Sequence, residues 1–371
     1  MTLDIPSYRL HNQRLSTTTF KTPDAVVGWL GAVQAQDYAG AKWALAQRMT
    51  DTTDAALDRA FADGSILRTH LLRPTWHFVT PTDIRWLLQL TGPRVQAGNA
   101  SMYRKTEMDK AVIKKSYTVL EKTLRDGKQL TRTELGIAFE KAGIIAEGQR
   151  LSYFMMSAEL DGILCSGARR GKQFTYALLE ERVPAVKALS REEALAELVK
   201  RYFLTRGPAT VQDFSWWSGL TMADGRSGIE MVKSQLVRET IHEQEYWLSD
   251  SKPIKRNTSP HAFLLPNYDE YFIGFRDRSA IGKIAGHANL TADDPALIAH
   301  VIILDGQIVG GWRRTLNKDH VLVETSLITK LGKAEKGYIA DATERFGRFL
   351  ELPVSLIHKE HTNEQRKTRG L

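Results

Sequence analysis

Within four residues, Gln34-Ala35-Gln36-Asp37, the chain carries two carboxamides and a carboxylate. They follow one apolar run, Ala25-Val26-Val27-Gly28-Trp29-Leu30, and precede another, Trp43-Ala44-Leu45-Ala46. On a helix, side chains two apart diverge by about 200°. Gln34 and Gln36 can therefore work together only if the backbone there is extended or at a helix end, where i and i+2 share a face. A carboxamide donates and accepts hydrogen bonds but is no general base near neutral pH. Such a pair orients a bound molecule, and Asp37 is the nearby group that can take up a proton.

His77 lies in Arg73-Pro74-Thr75-Trp76-His77. Strand alternation puts Thr75 and His77 on one face and Trp76 and Phe78 on the other. A lone strand histidine is usually satisfied by a local hydrogen bond, yet this face is a candidate to meet Gln34 and Gln36. Asp269-Glu270 is a carboxylate pair, but neighbours alternate in a strand, so both enter one site only if the chain turns. With Arg276-Asp277-Arg278 close by, ion pairing between loops is the favoured reading. Arg313-Arg314, after Gly310-Gly311-Trp312, either reaches phosphate or forms a solvated strand edge.

Other chemistries lack their residues. The ten histidines do not fall into metal-ligand spacings, and His358 and His361 sit in a polar terminus where solvation is expected, so no metal site is expected. No Gly-x-Gly-x-x-Gly follows a strand, and there is no Walker loop and no Gly-x-Ser-x-Gly elbow. Neither a nucleotide cofactor nor acyl chemistry is expected, and no cofactor is assigned. The single cysteine, Cys165, lies in a strand-like apolar run and reads as a small buried hydrophobe.

The elements that must position these residues show a recurring order. Val112, Ile113, Tyr117, Leu120 and Leu124 have helical spacing, Gly127 punctuates the chain, and Thr131-Arg132-Thr133-Glu134 reads as a capping box. A third helix near 151–160 and strands at 163–166 and 173–178 follow. Helix, helix, helix, hairpin is the order of a winged helix, and the hairpin tip carries Arg169, Arg170 and Lys172, which suits contact with phosphates. A second copy spans 192–248, in which the paired Trp216 and Trp217 are expected to fill a core or seam. The N-terminal copy has helices near 8–15, 23–33, 41–48 and 54–62 and a hairpin of strands 66–71 and 75–79. A helix at 81–91 and a linking stretch at 93–107 complete it. Lys255-Arg256-Asn257-Thr258-Ser259-Pro260 reads as a linker, and strands beyond it, with a hairpin turn at Asp305-Gly306, point to a separate α+β or small-barrel domain. The expected division is 1–108, 109–185, 186–252 and 253–371.

Lys plus Arg number 51 and Asp plus Glu 43, a net charge of +8 with a pI near 9.4, which favours a polyanionic partner, nucleic acid first and a membrane surface second. No segment has the eighteen or so uninterrupted apolar residues of a membrane span, and the start lacks a basic region followed by an apolar core. A cytoplasmic protein is expected.

Six stretches together resemble the AlkZ-like, YcaQ-related winged-helix DNA glycosylases. They are Val33-Gln34-Ala35-Gln36-Asp37, Leu72-Arg73-Pro74-Thr75-Trp76-His77, Arg206-Gly207-Pro208-Ala209-Thr210, Asp213-Phe214-Ser215-Trp216-Trp217-Ser218-Gly219-Leu220, Leu265-Pro266-Asn267-Tyr268-Asp269-Glu270-Tyr271 and Gly311-Trp312-Arg313-Arg314. The resemblance spans nearly the whole chain. It implies an α+β architecture of tandem winged-helix domains in a concave arrangement plus a C-terminal β-rich domain. It also implies release of alkylated purines from double-stranded DNA, and a monomer is expected. The family's signature of glutamine, spacer, glutamine falls on Gln34 and Gln36, the form associated with N7-alkylguanine and interstrand crosslinks. Asp37 and His77 are then possible catalytic support, and Arg73, Arg169, Arg170, Lys172, Arg313 and Arg314 are the expected DNA contacts. A winged-helix transcription regulator without catalysis, and a scaffold in which the glutamines only pack, are the alternatives.

Overall fold

A computed structural model describes residues 3–17, 20–250, 262–282 and 300–359. The chain opens with α1 (Ile5–Asn12), whose N-terminus is capped by Asp4, and α2 (Pro23–Leu30). The sequence predicts that the second helix reaches Val33. It stops three residues earlier because Gly31 takes φ 79°, a left-handed value that only glycine adopts freely, and the chain leaves the turn extended. There follow β1 (Val33–Gln34), α3 (Tyr38–Ala46), α4 (Asp54–Asp63), β2 (Leu67–Leu71) and β3 (Thr75–Val79), with sheet order β1-β3-β2. Next comes α5 (Ile84–Lys105), which runs through Pro93, where the sequence predicts a break. An interior proline costs about 3 kcal/mol. Burial of Trp86, Leu87, Leu88, Leu90 and Val95 along one continuous helix outweighs that cost.

The middle of the chain contains α6 (Lys110–Leu124), β4 (Leu130–Thr131), α7 (Arg132–Lys141), α8 (Gly148–Leu160), β5 (Leu164–Ser166), β6 (Thr175–Leu178) and α9 (Leu179–Arg182). The capping box at Thr131 and Glu134 forms as read. The strands order as β4-β6-β5 over a core of Leu120, Leu124, Leu135, Phe139 and Phe154. Then come α10 (Arg191–Arg206), α11 (Val211–Ser218), α12 (Met222–Val232) and the hairpin β7 (Leu236–Ile241) with β8 (Gln244–Ser249). The three helices start at capping boxes, Ser190 with Glu193, Thr210 with Asp213 and Thr221 with Asp224.

The expected linker at 255–260 lies outside the described residues. Beyond it come β9 (Ala262–Leu265), the one-turn α13 (Glu270–Ile273), β10 (Val301–Leu304), β11 (Gln307–Leu316), β12 (Val321–Leu327), α14 (Lys333–Leu350) and β13 (Val354–Lys359). The sheet order is β13-β12-β11-β10-β9, and β12 and β13 are parallel, joined across α14. Asp305 and Gly306 take φ 47° and 78°, the left-handed pair of a tight hairpin turn, as their types foretell. This sheet does not build its core alone. Leu264, Ile302, Trp312, Phe346 and Phe349 share one apolar cluster with Val26, Trp43, Leu45 and Phe61. Trp43 donates from Nε1 to Leu264 O at 2.7 Å, and its ring centroid lies 5.0 Å from that of Phe346. Among the described residues no helix is long and apolar enough to cross a membrane.

Because the two ends of the chain meet on those rings, Phe346→Ala is expected to cost about 3–5 kcal/mol of global stability. Urea unfolding followed by far-ultraviolet circular dichroism checks this, and a cost below about 1 kcal/mol, the size of a conservative surface change, contradicts the shared core.

Candidate active site

The Gly31 turn delivers Gln34 onto β1, where it lies opposite His77 in antiparallel register with β3. His77 in turn lies opposite Thr69 on β2. Directly opposed residues share a face, so Gln34, His77 and Thr69 form one row across the sheet. Ala35 N continues the pairing by donating to Trp76 O at 2.7 Å, which keeps the segment extended up to Gln36. The backbone condition for two cooperating glutamines is met. Gln34 is buried within the sheet, while Gln36 is exposed at its end.

Each carboxamide is oriented by a fixed donor. Arg73 Nη2 donates to Gln34 Oε1 at 3.1 Å, and Trp76 N donates to Gln36 Oε1 at 3.3 Å. A guanidinium and a backbone N–H only donate, so the amide oxygens must face them, and each oxygen keeps a second lone pair. Arg68 Nε holds Ala35 O at 3.0 Å between the two glutamines, with its guanidinium 4.3 Å from the Trp76 ring. Burial lowers its pKa to about 10, so it stays cationic.

Behind β1 stands a buried carboxylate. Glu270 Oε1 accepts from Gln34 N at 2.9 Å. Glu270 Oε2 accepts from Arg206 Nη2 at 2.7 Å and from Trp217 Nε1 at 2.9 Å. Arg206 also donates to Leu30 O at 2.8 Å and Ala32 O at 3.1 Å, on either side of Gly31. Asp269 and Glu270 part company because the chain turns at α13. Asp269 caps that turn and takes both Arg48 nitrogens at 2.9 Å, while Glu270 reaches the candidate site. The ion pairing favoured for the two carboxylates forms, but with Arg48 and Arg206, and among the described residues Arg276-Asp277-Arg278 makes other contacts. Arg276 N and Asp277 N donate to Asp213 Oδ1, and Arg278 Nε donates to Phe272 O.

His77 is buried and its ring nitrogens differ. Nδ1 donates to Thr75 O at 3.0 Å, so Nε2 carries the lone pair, and it has no protein partner. Burial, reinforced by the charge of Arg73, pushes its pKa down to about 3, and the ring is neutral at working pH. The Thr69 and Thr75 hydroxyls beside it also lack protein partners. Asp37 caps α3, accepting from Gly40 N at 3.1 Å, with Arg314 Nη2 3.8 Å away. Arg314 Nη1 lies 2.9 Å from His300 Nε2, and burial followed by that guanidinium lowers the His300 pKa to about 4.

The residues expected to contact DNA fall into three groups. Arg73 and Arg314 belong to the site. Arg169 packs inward, 4.8 Å over the Tyr38 ring and 3.6 Å from Asp58, and Arg170 pairs with Glu134 at 2.8 Å. Lys172 and Arg313 are exposed, the latter opposite Glu324 on β12. Cys165 is buried as read, its thiol pushed up to about 12 by burial. Among the described residues no group of three or more His, Cys, Asp or Glu side chains is placed to hold a metal. Periodicity missed Glu270, Arg206 and Trp217 as parts of the site, because they converge from distant segments. Trp217 is buried as expected of the pair, but Trp216 is 39% exposed, with the Arg73 guanidinium 5.2 Å from its ring centroid.

The family model for DNA glycosylase AlkZ-like proteins matches residues 27–349. An interstrand DNA cross-link repair glycosylase from Streptomyces sahachiroi is 25% identical, over 95% of this chain and 98% of its own length. The solved structure of the Streptomyces sahachiroi DNA glycosylase AlkZ superposes with a TM-score of 0.76 at 21% identity, covering 95% of this chain and 98% of that one, and so has the same α+β fold. The chain belongs to the AlkZ-like DNA glycosylase family.

Proposed function

We propose that the chain is a monofunctional DNA N-glycosylase that hydrolyses the N-glycosidic bond of N7-alkylguanine, in monoadducts and in interstrand crosslinks. The observation that carries this reading is the pair of oriented carboxamides, Gln34 held by Arg73 and Gln36 by the Trp76 backbone. The repair of cross-links named for the Streptomyces sahachiroi relative supports the crosslink part. The monofunctional reading is supported by Lys42, the lysine closest in sequence to the pair, whose amine is engaged between Asp54 at 2.7 Å and Asp58 at 3.0 Å.

N7 alkylation makes the base cationic. The C1′–N9 bond breaks, its electron pair neutralises the base, and the base leaves without protonation. A water then bonds to C1′ of the oxocarbenium ion. The remaining lone pairs on Gln34 Oε1 and Gln36 Oε1 accept from that water and place it, a positional and electrostatic contribution that needs no strong base. Asp37, fixed at the α3 N-terminus, supplies negative charge and accepts the proton the water loses. His77 supports Gln34 from the facing strand and, being neutral, adds no charge against the oxocarbenium ion. Glu270, the carboxylate that reaches the site behind β1, is paired with Arg206, and its neighbour Asp269 with Arg48.

The units α6-α7-α8 with β4-β6-β5, and α10-α11-α12 with β7-β8, have the element order of winged helices. On this reading the chain divides at 1–108, 109–185, 186–252 and 253–371, the first three units face the duplex in a concave array, and the protein acts as a monomer. The exposed Lys172 and Arg313 are the first phosphate contacts, and Arg170 joins them by exchanging Glu134 for phosphate.

Duplex DNA containing N7-methylguanine or a nitrogen-mustard crosslink, incubated with the protein and then treated with alkali, is expected to show strand cleavage well above buffer. Absence of cleavage on both substrates overturns the enzymatic reading and leaves a DNA-binding regulator. Gln34→Ala and Gln36→Ala are each expected to lower the single-turnover rate by about 10²-fold or more, with duplex affinity unchanged. Full rate in both variants removes the glutamines from the chemistry.

The pH dependence follows from His77 and His300. Their folded-state pKa values, about 3 and about 4, lie below the ordinary 6.5, so as the pH falls the unfolded chain takes up protons first. Stability is therefore full above pH 6.5 and is lost as the pH falls below it. Melting temperatures recorded between pH 7 and 5 are expected to fall with acidification, and the slope is expected to be shallower in His77→Gln; equal slopes contradict a buried neutral His77. Because His77 does not titrate in this range, the excision rate is not expected to show a histidine-like inflection near pH 6.5.

A further inference from the structure

Trp216 is 39% exposed, whereas every other described Trp, Tyr and Phe is buried or partly buried, and its position is enforced. It lies on α11, whose N-terminus is fixed by the Thr210–Asp213 capping box. Asp213 Oδ1 binds the helix further to Arg276 N at 2.8 Å and Asp277 N at 3.1 Å. At the other end Gly219, at φ 71°, lies so close to Leu72 O that a β-carbon would collide with it, and Arg94 Nε holds Gly219 O at 2.5 Å. The helix is thus clamped onto the Leu72-Arg73-Pro74 turn, where Leu72 itself has φ 59°, a strained value of the kind that concentrates at functional sites. A rigid helix that presents a tryptophan to solvent exposes an apolar surface that folding alone does not call for. One guanidinium, that of Arg73, separates this ring from the Gln34 amide.

We propose that Trp216 is the stacking platform for the purine of the damaged nucleotide. This rests on the glycosylase reading above and extends it to the substrate's base. Arg73 covers part of the indole and fixes Gln34, and the exposed part of the ring receives the base. An indole face attracts a cation as well as stacking with a ring. An N7-alkylguanine gains both contributions and an undamaged guanine only the stacking, so the platform favours the lesion. When the C1′–N9 bond breaks and its electron pair neutralises the base, the cation–π contribution vanishes, which eases release of the product.

The test combines Trp216→Leu and Trp216→Phe with three measurements on the full-length protein. With N7-methylguanine duplex, Trp216→Leu is expected to lose about tenfold or more in single-turnover excision, and Trp216→Phe to lie between it and the wild type. With a duplex carrying a tetrahydrofuran abasic site, which has no base to stack, affinities of the three proteins are expected to agree. With a non-cleavable 2′-fluoro-arabino N7-methylguanine duplex, tryptophan fluorescence of the wild type is expected to be quenched, and the quenching to be reduced in Trp216→Phe. Full excision by Trp216→Leu, or loss of abasic-site affinity equal to the loss of rate, overturns the proposal. Quenching equal in wild type and Trp216→Phe also overturns it, since the ring then only braces Arg73. A wild-type protein that cleaves no N7-methylguanine DNA instead refutes the glycosylase reading on which the proposal rests.

Discussion

The Glu270 carboxylate is the interaction on which the site depends. β1 is two residues long and pairs with β3 along one edge, so the N–H of Gln34 faces away from the sheet and needs another acceptor. Glu270 provides it. The same carboxylate takes Arg206 and Trp217, and Arg206 takes the carbonyls of Leu30 and Ala32 around the Gly31 turn. A strand too short to hold its own geometry is thereby fixed by the end of α10, by α11 and by the turn at α13. A buried ion pair of this kind adds little net stability, because desolvation offsets attraction. Its contribution is geometric, since the charges are satisfied only when three distant segments meet in one arrangement. Removing one partner leaves an uncompensated charge and costs about 3–5 kcal/mol.

The electrostatic setting explains why amides stand where carboxylates are more usual. Arg68, Arg73, Arg206 and Arg314 surround the segment, and Arg73 is already directed at side chain 34. A carboxylate at that position pairs with Arg73 and surrenders its lone pairs to it. An amide accepts one hydrogen bond from Arg73, keeps a lone pair, and retains two N–H donors. The cationic surroundings are unfavourable to a developing oxocarbenium ion, and on the proposed mechanism Asp37 is the group that offsets them. Such surroundings accord with the proposed departure of a base that leaves unaided.

Much of this was legible in the sequence. The capping box at Thr131 and Glu134, the hairpin turn at Asp305-Gly306, the β2–β3 hairpin and the burial of Cys165 follow from local rules, because each is decided within a few residues. That Gln34 and Gln36 can cooperate only on extended chain or at a helix end followed from side-chain geometry alone. Long-range relations stayed hidden. Nothing local predicts that α5 runs through Pro93, since the compensation comes from burial against other elements. Asp269 and Glu270 look like one motif, yet they serve Arg48 and Arg206, and the distinction depends on a one-turn helix. Arg169 and Arg170 read as free cations on a wing, while their partners Asp58 and Glu134 come from other elements. Trp216 and Trp217 are neighbours of one type with opposite burial, decided by which side of α11 meets Tyr202 and Glu270.

The unequal exposure of the glutamines bears on which lesions fit. Gln34 is fixed inside the sheet, whereas Gln36 stands exposed at the end of the segment with Trp76 beside it. A deep pocket demands that a base be extruded completely, at a cost of a few kcal/mol, and a guanine tied to the opposite strand resists that movement. A pair with one anchored and one exposed amide needs only that C1′ approach the surface. In the proposed arrangement Trp216 lies one guanidinium away from Gln34, so the base finds its platform without entering an enclosure. The same openness leaves shape with little power to reject normal bases, and selectivity falls to charge. A neutral guanine must be protonated before it leaves, and neither Gln34, Gln36 nor the neutral His77 can supply that proton near pH 7. On the proposed mechanism the discrimination thus resides in the absence of an acid among Gln34, Gln36 and His77 as much as in what those residues hold.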